Sequence, residues 1–220
     1  MIRKVPTPPA VFLRAFCTIA MLTMPASATA QRGCTYAACP REEVLTDAES
    51  ARIEAAVRAA AGEVSAVMGA DGLEMTFAAK GWVPNARAYL RDGAPEIGYN
   101  PLWVRSILDQ TVNSARWSLR AVLAHEVAHH VLSHPRATTG AHRRELEADA
   151  LAGHAMHGMG ATVEETAALW RTLPIHASPT HPSRRQRLRI VEAGWRLAEA
   201  GHPPEAAVSM VATAAGDGPG

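Results

Sequence analysis

Apolar residues recur with a helical period over most of the chain, which predicts a mainly helical protein. The first helix is predicted over 46–69, with Thr46 or Asp47 as its cap and Gly69 at its end. Its apolar stripe should face the core, so we expect this helix to serve in packing. The stripe consists of Ile53, Val57, Val64 and Val67.

Three short segments after this helix have the alternating pattern of β-strands. The segment 73–78 places every second, apolar residue on one face, and 86–90 is a second candidate strand. The third candidate lies within 95–101 between two prolines. Because proline cannot donate to a hydrogen-bond ladder, we expect this strand to be short and to lie outside the centre of the sheet.

Helical periodicity returns at position 102. Helices are predicted over 102–112, over the two motif-bearing segments described below, and over 162–173, where Thr162 is the cap and Glu165 completes a capping box. Each of these segments is short enough to belong to one compact domain.

A last helix is predicted over 183–200. It begins with the basic run RRQRLR, which we interpret as a solvated face with one arginine turned inward. Residues 201–220 are predicted to form a flexible tail. Together the elements predict an α+β fold, mainly helical with a small β-sheet, in one domain over 46–200.

Residues 1–30 have the pattern of a signal peptide. Arg3 and Lys4 give a basic start, 15–24 is apolar, and small residues precede position 31. The apolar run is shorter than the roughly 20 residues that span a bilayer, although a retained anchor is the alternative. We therefore predict a cleaved leader, a periplasmic or secreted location, and no integral membrane segment afterwards.

Removal of the leader changes the charge balance. The chain has 22 basic and 21 acidic residues, and three basic residues lie in the leader, so 22 − 3 = 19 remain and the net charge is near −2. This balance gives no support for a nucleic-acid or anionic-membrane partner.

Two cysteines remain after the leader. Cys34 and Cys39 lie in the segment 31–45, and an oxidising compartment allows them to form a disulfide. The alternative, a second metal site, lacks two further ligands.

The stretch HEVAHH contains the strongest chemical signal in the chain. His125 and His129 are four residues apart, so on a helix both imidazoles project from one face and can bind a single ion. Glu126 lies beside them, where its carboxylate can take a proton from water, as in the motif HExxH. The alternative is a helix that carries two histidines and a glutamate near its surface.

A zinc site needs a third protein ligand, and Glu145 of the sequence ELEAD supplies one on a second helix. Asp149 follows one turn later and can orient a ligand histidine. The longer pattern HExxHxxGxxH fails, since His134 comes one place early. His134 is therefore interpreted as a neighbour of the site or a surface residue. The same interpretation applies to His130, and His154 and His157 are expected to be exposed or locally hydrogen-bonded.

Three ordered motifs, HEVAHH, ELEAD and THPSRRQRL, resemble those of the gluzincin peptidases that include HtpX and the CaaX prenyl endopeptidases. The resemblance spans roughly 95–190. It implies a zincin-like fold with the sheet beside the HExxH helix, one Zn²⁺ per chain, and hydrolysis of peptide bonds in exported or envelope proteins. Those relatives are integral membrane proteins, whereas this chain looks like a soluble, secreted relative with polypeptide substrates.

The resemblance also implies roles outside the zinc ligands. His181 and Arg187, in the motif HP-x4-RL, are candidates for stabilising the oxyanion, and His181 is also able to cap the metal. The alternative for Arg187 is a salt bridge to Glu145 or Asp149. A substrate-pairing edge strand is expected at Ile97, Gly98, Tyr99 and Asn100.

Two other functions are compatible with these residues. One is a zinc-containing chaperone or regulatory protein that binds peptides but rarely cleaves them. The other is a purely structural zinc protein, although such sites more often use four protein ligands that include cysteines. The sequence leaves the substrate and the oligomeric state open.

Overall fold

The computed structural model of the 220-residue chain describes residues 44–216, with side chains through residue 212. The predicted leader and the cysteines Cys34 and Cys39 lie outside the described residues, so both remain predictions. All described residues belong to one compact α+β unit. In residues 44–216, none of the helices combines the length and apolar character needed to cross a bilayer.

Seven α-helices and three β-strands make up the described unit. In chain order they are α1 Asp47–Val67, β1 Thr76–Ala79, β2 Ala86–Arg91, β3 Ala94–Tyr99, α2 Pro101–Leu108, α3 Val112–Val131, α4 Ala141–Gly158, α5 Val163–Ala168, α6 Arg184–Glu199 and α7 Pro204–Gly216, with 3-10 turns at His134–Arg136 and Trp170–Thr172.

Local cap chemistry fixes several helix starts. Thr46 begins α1 and forms a capping box with Glu49, as Thr162 does with Glu165 at the start of α5. Ser183 caps α6 with Gln186 in the same way. The capping residues predicted for α1 and α5 are therefore confirmed.

The small sheet has the strand order β1-β3-β2, with β1 parallel and β2 antiparallel to the central strand β3. The prediction of a substrate-pairing edge at Ile97, Gly98, Tyr99 and Asn100 is therefore wrong. Ile97, Gly98 and Tyr99 are hydrogen-bonded between two neighbours, and Asn100 caps α2. β1 and β2 are the two edge strands, and β2 is the one that packs against α3.

β3 can lie in the centre of the sheet despite Pro95, because its pairing with β1 begins only after this proline. Pro95 lies opposite Leu90 of β2, but β1 first pairs at Glu96. The missing N–H of Pro95 therefore costs no bond with β1. Pro101 is already the first residue of α2, where a missing N–H is tolerated.

α3 is the central helix of the unit, and it contacts α1, α2, α4 and the edge strand β2. Every residue from Ala121 to Ala128 is buried. Small alanines at several of these positions allow neighbouring elements to approach closely on all sides. The motif-bearing helix is therefore held rigidly by packing.

α4 and α6 touch through their backbones. A methyl group at Gly153 would lie 2.0 Å from the carbonyl oxygen of Val191, and one at Gly194 would lie 2.1 Å from that of Ala150. Only glycine fits at both positions. This close approach places Arg187 of α6 beside Asp149 of α4.

The predicted flexible tail is wrong for most of its length, since α7 spans Pro204–Gly216. Gly201, with φ 78°, ends α6, and the chain turns into a helix whose buried Ala207 and Val211 pack against α4. These two residues lie one turn apart, a short apolar stripe that is easily overlooked beside terminal glycines. Residues 217–220 lie outside the described range.

Candidate metal centre

α3 and α4 bring the three predicted ligands together. His125 Nε2 and His129 Nε2 lie 3.1 Å apart. The carboxylate of Glu145 completes a triangle, with Oε2 3.5 Å from His125 Nε2 and Oε1 3.4 Å from His129 Nε2. Among the described residues, this is the one group of three potential ligands that converges closely enough to hold an ion.

The triangle has the dimensions that zinc requires. Tetrahedral zinc binds nitrogen and oxygen at about 2.0–2.1 Å, which separates any two ligand atoms by about 3.3 Å. The separations of 3.1, 3.4 and 3.5 Å agree with this value. Glu145 Oε2 is buried and accepts no hydrogen bond from the described residues. A metal ion would give this buried carboxylate oxygen the close partner that it lacks, so the donor set fits zinc.

Asp149 orients His125 through the ring nitrogen that does not face the metal. Its side chain is fully buried, and Oδ1 accepts a hydrogen bond of 2.9 Å from His125 Nδ1. Arg187 donates to both carboxylate oxygens at 2.7 Å, and Trp170 Nε1 donates at 2.7 Å. With Nδ1 committed to Asp149, Nε2 of His125 is left for the metal.

The carboxylates dominate the electrostatics of this cluster. Burial acts to lower the pKa of His125, but the carboxylates of Asp149 and Glu145 outweigh burial and raise the pKa to about 10. Burial acts in the opposite direction on Glu145, whose pKa is nevertheless held well below its usual range by His125 and His129. Glu145 is therefore ionised, as a ligand must be.

His129 is oriented by His134. The two Nδ1 atoms lie 2.9 Å apart, and His134 Nε2 lies 3.2 Å from Glu147 Oε2. Since the Glu147 carboxylate can only accept, His134 donates from Nε2, and its Nδ1 accepts from His129. Burial and the neighbouring His129 lower the pKa of His134 to about 4, which keeps it neutral. Nε2 of His129 is thereby left for the metal.

Glu126 lies between the metal ligands and the edge strand. The backbone N–H of Ala88 in β2 donates to Glu126 Oε2 at 2.6 Å. This bond fixes the carboxylate on the side of α3 that faces β2. It also indicates that the N–H and C=O of Ala88 lie on the free edge of β2, away from β3, with the N–H directed at α3.

The two residues predicted to stabilise an oxyanion have different surroundings. Arg187 is buried, and its Nε and one terminal nitrogen both donate hydrogen bonds to Asp149. That terminal nitrogen also lies 3.5 Å from Glu145 Oε2. This geometry matches the salt-bridge alternative. The side chain of His181 is 54% exposed, and its Nε2 lies 3.6 Å from Glu145 Oε2. His181 therefore lies at the mouth of the site.

The remaining histidines near the motif have local partners. His130 Nε2 lies 3.1 Å from the carbonyl oxygen of Glu96, which ties α3 to the central strand. His154 Nε2 lies 2.8 Å from the carbonyl oxygen of His202, and His157 packs edge-on against Trp195. Local contacts were expected for His154 and His157.

Sequence reasoning missed three parts of the site, namely Trp170, Ala88 and the role of His134. Trp170 follows Asp149 by 21 residues with no motif between them. Ala88 acts through its backbone, which leaves no sequence signal. The role of His134 could have been predicted from its position, five residues after the ligand His129. From the turn after α3, a buried histidine there can contact the ring nitrogen of His129 that does not face the metal.

Comparisons of the chain with protein-family models, with curated proteins and with solved structures find no match.

Proposed function

We propose that the protein is a zinc-dependent endopeptidase with a zincin-like fold, acting in the periplasm or outside the cell on exported or envelope proteins. One observation carries the proposal. His125, His129 and Glu145 have the ligand spacing of tetrahedral zinc, with Glu126 next to them and an unpaired strand edge alongside. These are the parts that metal-assisted hydrolysis of an extended polypeptide requires.

His125, His129 and Glu145 would hold the zinc, which when bound polarises a carbonyl and lowers the pKa of a water molecule. Glu126 is the general base of the reaction. Its carboxylate takes the proton of the attacking water and passes it to the leaving amine nitrogen. The N–H of Ala88, at 2.6 Å, holds this carboxylate on the side of α3 that faces β2.

The substrate pairs with β2. β2 has a strand partner on one side, and its other edge lies beside α3. The outward N–H groups of Ala86 and Ala88 donate to Asn85 Oδ1 and Glu126 Oε2, so the C=O groups along this edge are what β2 offers for strand addition. Main-chain pairing holds the peptide extended beside Glu126. It also accepts many sequences, because the backbone is common to all of them.

His181 is the stronger candidate for stabilising the oxyanion. Its Nε2 is near Glu145 while Nδ1 lies 2.8 Å from Thr180 Oγ1, so one nitrogen is fixed and the other faces the site. Arg187 instead positions Asp149, and through it His125.

The test uses the exported protein loaded with zinc. We expect about one zinc per chain and cleavage of casein and of a peptide library. Glu126→Gln should lower kcat by about 10²–10⁴-fold with zinc content unchanged, since it removes a proton acceptor and no ligand. Glu199→Gln, at an exposed position on α6, is the matched control and should behave as the parent.

Failure of the zinc-loaded parent to cleave casein or any library peptide would refute the peptidase proposal. Suppression of casein aggregation by the same sample would then favour the alternative peptide-binding role. Hydrolysis that survives Glu126→Gln undiminished would refute the role given to Glu126.

A further inference from the structure

We infer that the edge strand β2 selects acidic polypeptide segments, with carboxylate side chains at alternate positions around an apolar residue. The inference rests on the proposed function, since it names the substrate class of the same site. Its basis is the outer face of the sheet, away from α3.

β2 has two different faces. Ala86 is buried, and Ala88 packs against the hydrophobic core, so both belong to the face towards the helices. The alternation of a strand therefore places Arg87, Tyr89 and Arg91 on the opposite, outer face. Two arginines thus flank a tyrosine along the strand beside which the substrate lies.

The positive charge on this face is only partly neutralised. Arg91 and Lys80 both pair with the buried carboxylate of Glu96, at 3.4 Å and 3.1 Å. Arg87 is exposed, and no ion pair joins it to another described residue. Three cations against one carboxylate leave a net charge of +2 on the outer face.

The aromatic part of the surface is held in place. Tyr89 donates a hydrogen bond to Glu96, and its ring lies over Gly98, where an added methyl group would approach the ring to 3.1 Å. Trp82 packs against Tyr89 with ring centroids 5.7 Å apart and is 62% exposed. A large exposed aromatic next to a fixed tyrosine and the exposed Arg87 has the composition of a binding hot spot.

The register of an incoming strand follows from Ala88. Since the N–H of Ala88 points away from β3, an antiparallel substrate forms its narrow, non-hydrogen-bonded pairs opposite Arg87 and Tyr89. Side chains are closest at such pairs. A carboxylate therefore meets Arg87, the next outward residue meets Tyr89 and Trp82, and a second carboxylate reaches Arg91.

The size of the preference follows from cross-strand pairs. An opposite-charge pair contributes roughly 0.2–1 kcal/mol, which corresponds to about 1.4- to 5-fold in binding. Arg87 should give the larger effect because Arg91 is already paired with Glu96. All of these groups are exposed or partly exposed, so the preference should shrink as salt rises.

The experiment compares four peptides of equal length. One has Glu, Leu and Glu at alternate positions, one has Gln in place of both glutamates, one has Lys there, and one has the glutamates adjacent. Cleavage by the zinc-loaded protein gives kcat/KM, and fluorescence anisotropy on Glu126→Gln protein gives Kd without turnover. The alternate acidic peptide should be best in both measurements.

Variants then assign the preference to β2. Arg87→Gln should reduce the advantage of the acidic peptide over its Gln counterpart by about two- to fivefold, and Arg87→Glu should favour the Lys peptide. Arg189→Gln, at an exposed position on α6, is the matched control and should leave the ranking unchanged.

Cleavage with equal kcat/KM for acidic, neutral and basic peptides would overturn this inference and leave the peptidase proposal standing. The same holds if a preference exists but survives Arg87→Gln and Arg87→Glu. Absence of both cleavage and binding for all four peptides would overturn the inference together with the proposed function.

Discussion

Replacing Gly153 with alanine should destabilise the protein by about 2 kcal/mol, although alanine is the better helix former. The added methyl group would lie 2.0 Å from the carbonyl oxygen of Val191, a backbone atom that cannot rotate away. An ordinary contact between carbon and a carbonyl oxygen is about 3.3 Å. α6 would have to move away from α4 by more than an ångström.

The magnitude combines two opposing effects. Overpacking of this kind typically costs 1–3 kcal/mol, and a rigid backbone contact belongs at the upper end, about 3 kcal/mol. Replacing glycine by alanine inside a helix stabilises the helix by about 1 kcal/mol, which leaves a net loss of about 2 kcal/mol. The displacement of α6 also stretches the 2.7 Å bonds between Arg187 and Asp149, so metal affinity should fall as well.

Urea unfolding followed by circular dichroism, with a chelator present, measures the change in the free energy of unfolding. Gly62→Ala is the matched control, because Gly62 lies in α1 with nothing within 4 Å of the added methyl group. It should stabilise the protein by up to about 1 kcal/mol. If Gly153→Ala stabilises the protein as much as Gly62→Ala, the backbone contact between α4 and α6 does not exist in solution.

Three further outcomes are expected. His134→Ala should weaken zinc binding by about 10–100-fold in chelator competition, while His134→Asn, which keeps an acceptor for His129, should lose less; equal affinities would contradict the role of His134. The hydrogen bond from Tyr89 outweighs burial and lowers the pKa of Glu96 to about 2 from 4.5, so its stabilisation is complete above about pH 4.5 and is lost as pH falls towards 2. The stability lost in Glu96→Gln should therefore shrink over that range in urea unfolding, and a pH-independent difference would speak against it. His181→Ala should lower kcat at constant zinc content, whereas a rise would identify His181 as a cap on the metal.

The sequence predicted what depends on neighbours along the chain. The caps at Thr46 and Thr162 act within one helical turn, and the spacing of His125 and His129 places both on one face. Glu145 and Asp149 are likewise one turn apart, so their relative placement followed from α4 alone.

What the sequence did not predict depends on tertiary contacts. The central position of β3 is decided by β1 pairing beyond Pro95, which no local pattern around Pro95 reveals. α7 forms because Ala207 and Val211 find a surface on α4. The buried contact of Trp170 with Asp149 likewise exists only once distant segments pack together.

The ion pair between Arg187 and Asp149 also determines which ions the site can take. Glu126, Glu145 and Asp149 bring three negative charges and Arg187 brings one positive charge, so the site sums to −2 once metal binding has displaced the proton of His125. A divalent cation makes the cluster electrically neutral. A monovalent or trivalent ion would leave a net charge in a buried cluster, which is costly. Charge neutrality would therefore favour divalent ions at this site before ligand geometry distinguishes among them.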